Sequence, residues 1–371
     1  MAGGGTGGHV LPGLAVAREL RRRGHEVLFI GTRRGLEAKL VPAEGFPIEW
    51  IEISGMNRVG VRKAVESLAA LPRSVFRARA VLKQFQASAI FSLGGYVAGP
   101  VLLAAIQRRT PIVAMEPNAV PGFTHRQLRA FIARALVSFE DTGRWFRNGR
   151  TEVTGMPIRE EFFAIRPKPR GAVLTVLITG GSQGSAVLNR AVEESWALWA
   201  ESGLQVKLLH QTGARAFQDI EAKYASFQGP GLQSAALQGP AFQAPGAEVE
   251  IAPFFRNMRR AFEEADIIVS RAGMGTVSEI AAAGKPSILV PLATASDDHQ
   301  TKNAQALERI GAARLVKDAE MSGRRLVDEV KALALDAGRL EAMGAAAKRF
   351  AKPGAAAHAA DVLESLGEGR R

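Results

Sequence analysis

One unit recurs in this chain and dictates its fold class: an apolar run, then a cluster of glycines, then a helical pattern. Ala172–Ile178 (AVLTVLI) leads into Gly180-Gly181-Ser182-Gln183-Gly184-Ser185 and a helix from about Ser185. Ala265–Ser270 (ADIIVS) leads into Arg271-Ala272-Gly273-Met274-Gly275-Thr276, a helix over Thr276–Ala283 and a further strand, Pro286–Val290. Units of this kind build a parallel sheet covered by helices on both faces. Glycine lets the backbone take positive φ and approach a ligand closely, and the N–H groups that open the following helix favour phosphate or sugar oxygens.

The first half repeats the pattern. A helical stretch, Leu14–Arg23, precedes the strand Val27–Gly31; Ala89–Leu93 and Pro111–Ala114 are short strands around a small-residue helix, Val97–Gln107; Ile132–Ser138 reads as a helix end and a strand. Gly3-Gly4-Gly5-Thr6-Gly7-Gly8-His9 is the first glycine cluster, but only Met1 and Ala2 precede it. A strand of about five residues belongs there, so the first strand is expected to be missing, through truncation or a misassigned start, or poorly filled. In the second half Gln205–His210 is another strand, residues 221–250 read as an extended Gly/Pro/Gln-rich loop, and Ala345–Arg371 as an Ala-rich helix with a frayed end. A boundary falls near 156–171, where Met156-Pro157 and RPKPRG interrupt regular structure. The expected architecture is two doubly wound domains, 1–160 and 161–371, with the last helix free to cross back to the first.

Composition narrows the function. With 371 residues, 47% of them apolar, the chain can fill two cores, and the absence of cysteine removes disulfides, cysteine–zinc sites and thiolate nucleophiles. No run of about 18 apolar residues predicts a transmembrane helix, and MAGGGTGGHV has no signal-peptide core. There is no Gly-x-x-x-x-Gly-Lys-Ser/Thr loop, no Asp-x-Asp and no zinc spacing. A leaving diphosphate would then rest on backbone N–H groups, helix ends and basic side chains.

The net charge of +12 is uneven: residues 1–160 hold 23 Lys/Arg against 12 Asp/Glu, and the remainder 25 against 24. One half therefore presents a face for an anionic partner. Residues 58–85 carry seven Lys/Arg and one acidic residue beside Leu68, Leu71, Val75, Phe76, Leu82 and Phe85, with Pro72 expected to split two short helices. Basic side chains beside an apolar patch describe an interfacial element. Trp145 and Phe146, between Arg144 and Arg147, are expected on the same side. A nucleic-acid module fits the charge but leaves the glycine loops unexplained.

Seven stretches together resemble the bacterial N-acetylglucosaminyltransferases that make lipid II, the MurG family. They are GGGTGGHVLPGLAVA near the start, SLGGYVAGPVL at 92–102, MEPNAVPG at 115–122, GMPIRE at 155–160, TGGSQGS at 179–185, RAGMGTVSEIAAAGKPSILVPL at 271–292 and DDHQTKNA at 297–304. The resemblance implies a GT-B fold, two Rossmann-like domains facing across a cleft. It implies inverting transfer of GlcNAc from UDP-GlcNAc to the C4 hydroxyl of the MurNAc unit of lipid I, at the cytoplasmic face of the membrane, in peptidoglycan synthesis.

The resemblance also assigns roles. Ser182 and its glycines meet the UDP diphosphate; Met274, Gly275 and Thr276 close over the phosphates; Glu279 takes the ribose hydroxyls; Phe255 reads uracil through its backbone. Gln300, with His299 beside it, and Asn118 contact the donor sugar, and Arg159 lies near the donor. Thr6, Gly7, Gly8, Gly94, Gly95 and Tyr96 belong to acceptor-side loops. His9 is the candidate base for the attacking hydroxyl, since a neutral imidazole accepts a proton near neutral pH; a histidine bonded to a backbone carbonyl is the rival reading. No cofactor and no essential divalent metal are expected. UDP-GlcNAc, lipid I, an anionic membrane surface and cell-wall synthesis proteins are the expected partners, and nucleic acid is not. The family often has His-Glu-Gln-Asn where this chain has Met115-Glu116-Pro117-Asn118, so any role for a histidine there is lost or moved. A transferase with another acceptor, or a UDP-GlcNAc epimerase, shares the donor chemistry and stands as the alternative.

Overall fold

Each glycine cluster closes a strand of a parallel sheet. The computed structural model describes residues 1–5, 7–53, 61–147, 149–169, 171–181, 183–228, 241–244 and 246–368, in two units: Met1–Arg159 with Lys352–Arg371, and Glu160–Ala351. Unit 1 runs β1 (Ala2–Gly3), α1 (Gly7–Arg22), β2 (Phe29–Gly31), α2 (Glu37–Ala43), β3 (Ile48–Trp50), α3 (Val61–Gln84), β4 (Ile90–Gly94), α4 (Gly95–Gln107), β5 (Ile112–Glu116), α5 (Phe123–Leu128), β6 (Arg134–Val137) and β7 (Thr151–Val153). Unit 2 runs β8 (Leu174–Thr179), α6 (Ala186–Ser195), α7 (Leu198–Ser202), β9 (Val206–Gln211), α8 (Phe217–Gln228), β10 (Ala241–Ala244), β11 (Ala247–Ala252), α9 (Met258–Glu264), β12 (Ile267–Ser270), α10 (Met274–Ala283), β13 (Ser287–Leu289), α11 (His299–Arg309), β14 (Arg314–Leu315), α12 (Gly323–Ala334) and α13 (Ala337–Phe350). A last helix, α14 (Ala355–Glu368), returns to unit 1.

Strand order is β3-β2-β1-β4-β5-β6-β7 in one sheet and β10-β11-β9-β8-β12-β13-β14 in the other. Every pair is parallel except β10 with β11. Both orders reverse direction once, between β1 and β4 and between β8 and β12. A crevice opens at such a point beyond the carboxyl ends of the strands, where open α/β sheets bind ligands. The glycine stretches lie at these reversals.

The apolar runs are continuous because both sheet faces are covered. Along unit 1 the strand residues alternate. Ile90, Ile112, Ala114, Ala135 and Val137 pack beneath α3 and α4. Phe91, Leu93, Val113, Met115 and Leu136 pack against α1 and against Ala359, Ala360, Val362 and Leu363 of α14. In unit 2 one core is built on β8, β9, β11 and β12 with Trp196, Trp199 and Tyr224, and Leu177, Leu209, Ile268 and Leu289 are buried as well.

Several expectations are corrected. The first strand is not missing but short, as the poorly filled alternative had it: Ala2 and Gly3 lie between β2 and β4, and the strand pairs with both. The first helix begins at Gly7 rather than Leu14, so Gly7, Gly8 and His9 form its first turn. Pro72 lies inside one helix, α3, instead of splitting two. Its second half is clamped to the sheet by Val75, Ala78, Val81 and Leu82, and Ser74 Oγ donates to the Glu52 and Ala70 carbonyls at 2.7 and 2.9 Å.

That packing also redistributes the expected apolar anchors. Val75 and Leu82 are core residues and Leu71 and Phe85 pack against them, while Phe76 is 68% exposed. The side chains of Arg62, Lys63 and Leu68 lie outside the described residues. Phe146 is buried and Trp145 packs on the same core, so neither forms a surface anchor. The expected loop over 221–250 contains the end of α8 and most of a β10–β11 hairpin, with 229–240 outside the described residues. The C-terminal stretch is two helices, not one, because Pro353 cannot continue α13 and Gly354 turns at φ 75°.

Candidate active site

In unit 1 the site grows from the strand ends at the reversal. Beyond β1, Gly5 takes φ 93° and donates its N–H to Glu37 Oε2 at 2.8 Å. Glu37 is buried; its Oε1 accepts the Thr32 N–H at 3.0 Å and hydroxyl at 2.9 Å. A Cβ on Gly4 would run into this carboxylate, so the glycine is a steric requirement. The loop is thus shaped from within by a carboxylate that occupies one of its N–H donors.

Beyond β4, Gly94 (φ 79°, ψ −157°) caps α4 in a conformation open to glycine alone. Gly95 follows at φ 76°; a Cβ there would stand 3.2 Å from the Gly4 carbonyl and 3.5 Å from His9 Nδ1. Tyr96 sets its ring over Gly5 and its hydroxyl 3.4 Å from Thr32 Oγ1. His9, Gly95 and Tyr96 are therefore gathered at one place, with His9 half-buried in the first turn of α1. Thr6 lies outside the described residues.

Beyond β5, Glu116 organises the next loop. Its Oε1 accepts the Asn118 side-chain amide at 3.1 Å and backbone N–H at 3.3 Å; its Oε2 accepts the Gly122 N–H at 2.9 Å and lies 2.9 Å from His125 Nδ1. Burial raises this carboxyl, but the His125 bond and charge, with the Gly122 and Asn118 donors, outweigh it and hold it below the ordinary carboxylate range. Met115 points to the other face and is buried among Val113, Leu136 and the α1 side chains.

In unit 2 the loop after β8 is held by one buried amide. Gln211 Nε2 donates to Thr179 Oγ1 and to the Gly181 carbonyl, both at 3.0 Å, and its Oε1 accepts the Phe255 N–H at 3.1 Å. Gln211 thus ties the Gly180–Gly184 loop to the segment holding Phe255, and any uracil contact through that N–H competes with this bond. Phe255 is buried and Phe254 exposed. Ser182 lies outside the described residues. Ser185 caps α6 by accepting from the Leu188 N–H at 3.3 Å.

The loop after β12 runs directly into α10, so Met274, Gly275 and Thr276 are its first turn, where backbone N–H groups have no acceptor within the helix. Glu279 stands one turn further along, partly exposed. Arg271 buttresses the loop through the Val290 and Pro291 carbonyls, 3.1 and 3.2 Å away, and through Asp318. Asn303 on α11 donates to the Ala272 carbonyl at 3.3 Å. Gln300 accepts the Leu292 N–H at 3.0 Å, and its Nε2 lies 4.0 Å from a Cβ built on Gly273. His299, the first residue of α11, is half-buried beside it. The donor-side candidates are divided: Asn118 and the exposed Arg159 belong to unit 1, the others to unit 2. Among the described residues no group of three or more His, Asp or Glu is placed to hold a metal.

Glu37, Gln211 and His125 lie outside the motif stretches, while Ser92 and Asn303 lie inside two of them without an assigned role. The one sequence sign of Gln211 is a polar His-Gln-Thr-Gly run at the end of an apolar strand.

Two doubly wound units with glycine loops at their strand reversals make the GT-B fold, the one used by a large class of sugar-nucleotide transferases. The N-terminal domain of glycosyltransferase family 28 matches residues 1–137 and its C-terminal domain residues 175–359, and the chain belongs to this family. It is 54% identical to the UDP-N-acetylglucosamine--N-acetylmuramyl-(pentapeptide) pyrophosphoryl-undecaprenol N-acetylglucosamine transferase of Solibacter usitatus, over 99% of this chain and 95% of that one. It is similar to the crystal structure of Acinetobacter baumannii MurG, with TM-score 0.77 and 31% identity over 98% of this chain and 97% of that one. A UDP-GlcNAc 2-epimerase from Neisseria meningitidis, solved with UDP-GlcNAc, shares the fold alone, at TM-score 0.64 and 12% identity over 97% and 98% of the two chains.

Proposed function

We propose that this chain transfers GlcNAc from UDP-GlcNAc to the C4 hydroxyl of MurNAc in undecaprenyl-pyrophosphoryl-MurNAc-pentapeptide (lipid I), forming lipid II for peptidoglycan. The end-to-end likeness to the Solibacter transferase, 54% identity over 99% of this chain, carries this reading. In the reaction the C4 oxygen bonds to C1 of GlcNAc from the face opposite UDP, the C1–O bond to the diphosphate breaks, and the hydroxyl proton passes to His9. The Gly180–Gly184 loop and the first turn of α10 receive the negative charge that develops on the diphosphate. Glu279 accepts from the ribose diol, for which one carboxylate has enough lone pairs. Gln300, His299, Asn118 and Arg159 hold the sugar and its surroundings, and Gly94, Gly95 and Tyr96 floor the acceptor side.

The test is transfer from radiolabelled UDP-GlcNAc with and without short-chain lipid I, in excess EDTA. Disaccharide formed only with acceptor, and persisting in EDTA, is the expected result. An acceptor-independent change in the sugar would favour an epimerase instead. Glu279→Ala raises the donor KM by 10-fold or more, since a desolvated charged hydrogen bond is worth about 1.5–3 kcal/mol. Donor titrations check it, and unchanged affinity removes Glu279 from the ribose.

Among the described residues no helix is long and apolar enough to cross a membrane. The reading is of a peripheral protein at the cytoplasmic face, touching anionic lipid through the outer side of α3. Arg73, Arg79, Lys83 and Phe76 are exposed there, and Arg77 is 57% exposed though paired with Glu49 at 2.7 Å. Each basic residue near such a surface contributes about 1 kcal/mol. Neutralising Arg73, Arg77 and Arg79 together weakens sedimentation with anionic vesicles, most at low salt, and spares turnover of a water-soluble acceptor analogue. Equal vesicle binding by both proteins excludes this face.

A further inference from the structure

Position 115 holds methionine, and the imidazole beside Glu116 comes from elsewhere in the chain. His125, on α5, is buried between two strand ends, its Nδ1 2.9 Å from Glu116 Oε2 on β5 and its Nε2 2.9 Å from Ser92 Oγ on β4. The Ser–His–Glu order invites comparison with a hydrolase triad, but Ser92 is fully buried and has no approach for a substrate. Its hydroxyl instead accepts the Gly94 N–H, at 3.4 Å. The imidazole also lies against Gly94 itself, where an added Cβ would stand 3.4 Å from its Cε1. The preceding residue, Thr124, donates its hydroxyl to the Gly95 carbonyl at 3.1 Å.

Two sets of site residues therefore meet at His125. Through Glu116 it reaches the loop that presents Asn118, whose side-chain and backbone amides both donate to the same carboxylate. Through Ser92 it reaches Gly94 and so Gly95, which is packed against His9. Gly94 and Gly95 have positive φ where β4 turns directly into α4, and Pro117–Gly122 is a loop between β5 and α5. The imidazole joins both with directional bonds inside a buried space, where such bonds are strongest.

We propose that His125 is the positioning residue of the unit 1 site, holding the Asn118 loop and the Gly94–Gly95 floor beneath His9 in register through Glu116 and Ser92. It touches no reacting atom. Misplacement of a catalytic group by about 1 Å costs about 10²-fold in rate, so its loss is read in turnover rather than in affinity for UDP, whose candidate residues all lie in unit 2. The inference rests on the proposed transferase reading.

Two substitutions separate the arms. Asparagine places an amide where Nδ1 stands and so keeps a donor for Glu116; alanine keeps nothing. His125→Ala is expected to lower kcat about 10²-fold with UDP affinity, by calorimetry, within about twofold of wild type. His125→Asn is expected to recover at least about tenfold of that loss, and Ser92→Ala to lower kcat about tenfold. Hydrogen exchange gives a readout independent of turnover. Peptides covering residues 90–100 and 116–124 should both exchange faster in His125→Ala, and only the first in Ser92→Ala. If His125→Ala does not fold, the asparagine and Ser92 variants carry the test.

Wild-type kcat in these variants overturns the inference. So does an asparagine variant no better than alanine, or a rate loss matched by equal loss of UDP affinity and thermal stability. A wild-type protein that makes no acceptor-dependent disaccharide refutes the transferase reading, and the exchange measurements then decide the role of His125 alone.

Discussion

Replacing His9 with Ala lowers kcat by at least about 10²-fold at about pH 7.5 and leaves UDP-GlcNAc binding almost unaltered. The acceptor hydroxyl is a poor nucleophile with a high pKa, so a nearby base matters more in the transition state than in binding. The structure places His9 in the first turn of α1, half-buried, with Nδ1 against Gly95. As the titrating base it gives the pH–rate profile its acidic limb, because a protonated imidazole cannot accept the proton, and the alanine variant loses that limb. If His9 instead orients the acceptor diphosphate, the variant raises acceptor KM and keeps the limb. Steady-state kinetics between about pH 5.5 and about pH 9 distinguish the two. Wild-type kcat and pH dependence in the variant remove His9 from the chemistry.

Acid weakens unit 2 through a different histidine. His210 is fully buried on β9; its Nε2 lies 3.0 Å from Asn189 Oδ1, and its Nδ1 has no partner among the described residues. Burial lowers its pKa from 6.5 to about 3. The unfolded chain therefore binds a proton that the folded chain refuses, and stability falls as pH drops below about 6.5. By about pH 5 the loss from this group is about 2 kcal/mol. The effect reaches the site, because Asn189 also donates to the Thr212 carbonyl at 3.0 Å, and that carbonyl packs against Gly184. Hydrogen exchange of β8 and β9 peptides at about pH 7.5 and about pH 5 measures it. His210→Gln, which keeps a partner for Asn189 but does not titrate, should flatten the difference. An equal pH response in both proteins assigns the acid sensitivity elsewhere.

The strand–glycine–helix units were legible because a buried parallel sheet writes itself as uninterrupted apolar runs, and the loops it needs are written as glycines. What escaped obeys other rules. The two residues of β1 are too few to show a period, and their place depends on β2 and β4. The strand β11 reads Ala-Glu-Val-Glu-Ile-Ala, and its two glutamates disguise it although Glu250 is buried. Proline in α3 was read by local geometry, whereas packing of the second half on the sheet decided the outcome. In the site, motif residues carried their own signal, but Glu37, His125 and Gln211 acquire meaning only from neighbours distant in the chain. Met115 is the instructive case. Next to Glu116 in sequence, it faces the opposite side of the sheet, and the imidazole beside that carboxylate comes from α5.

The return of α14 makes unit 1 a discontinuous domain with unit 2 inserted in it. The helix contributes Ala359, Ala360, Val362 and Leu363 to the core against α1, and Arg23 reaches Asp361 and Glu364 at 2.6 and 2.7 Å. The ribosome therefore releases all the strands of unit 1 long before the helix that covers one of its faces. At about 5–20 residues per second, the roughly 200 residues between them leave that apolar face bare for at least about ten seconds. Unit 2, continuous from Glu160 to Ala351, has no such delay and can finish first. A nascent chain arrested before α14 is then a natural client for a chaperone, with α1 and the Phe91, Leu93 and Val113 side of the sheet as the surface presented.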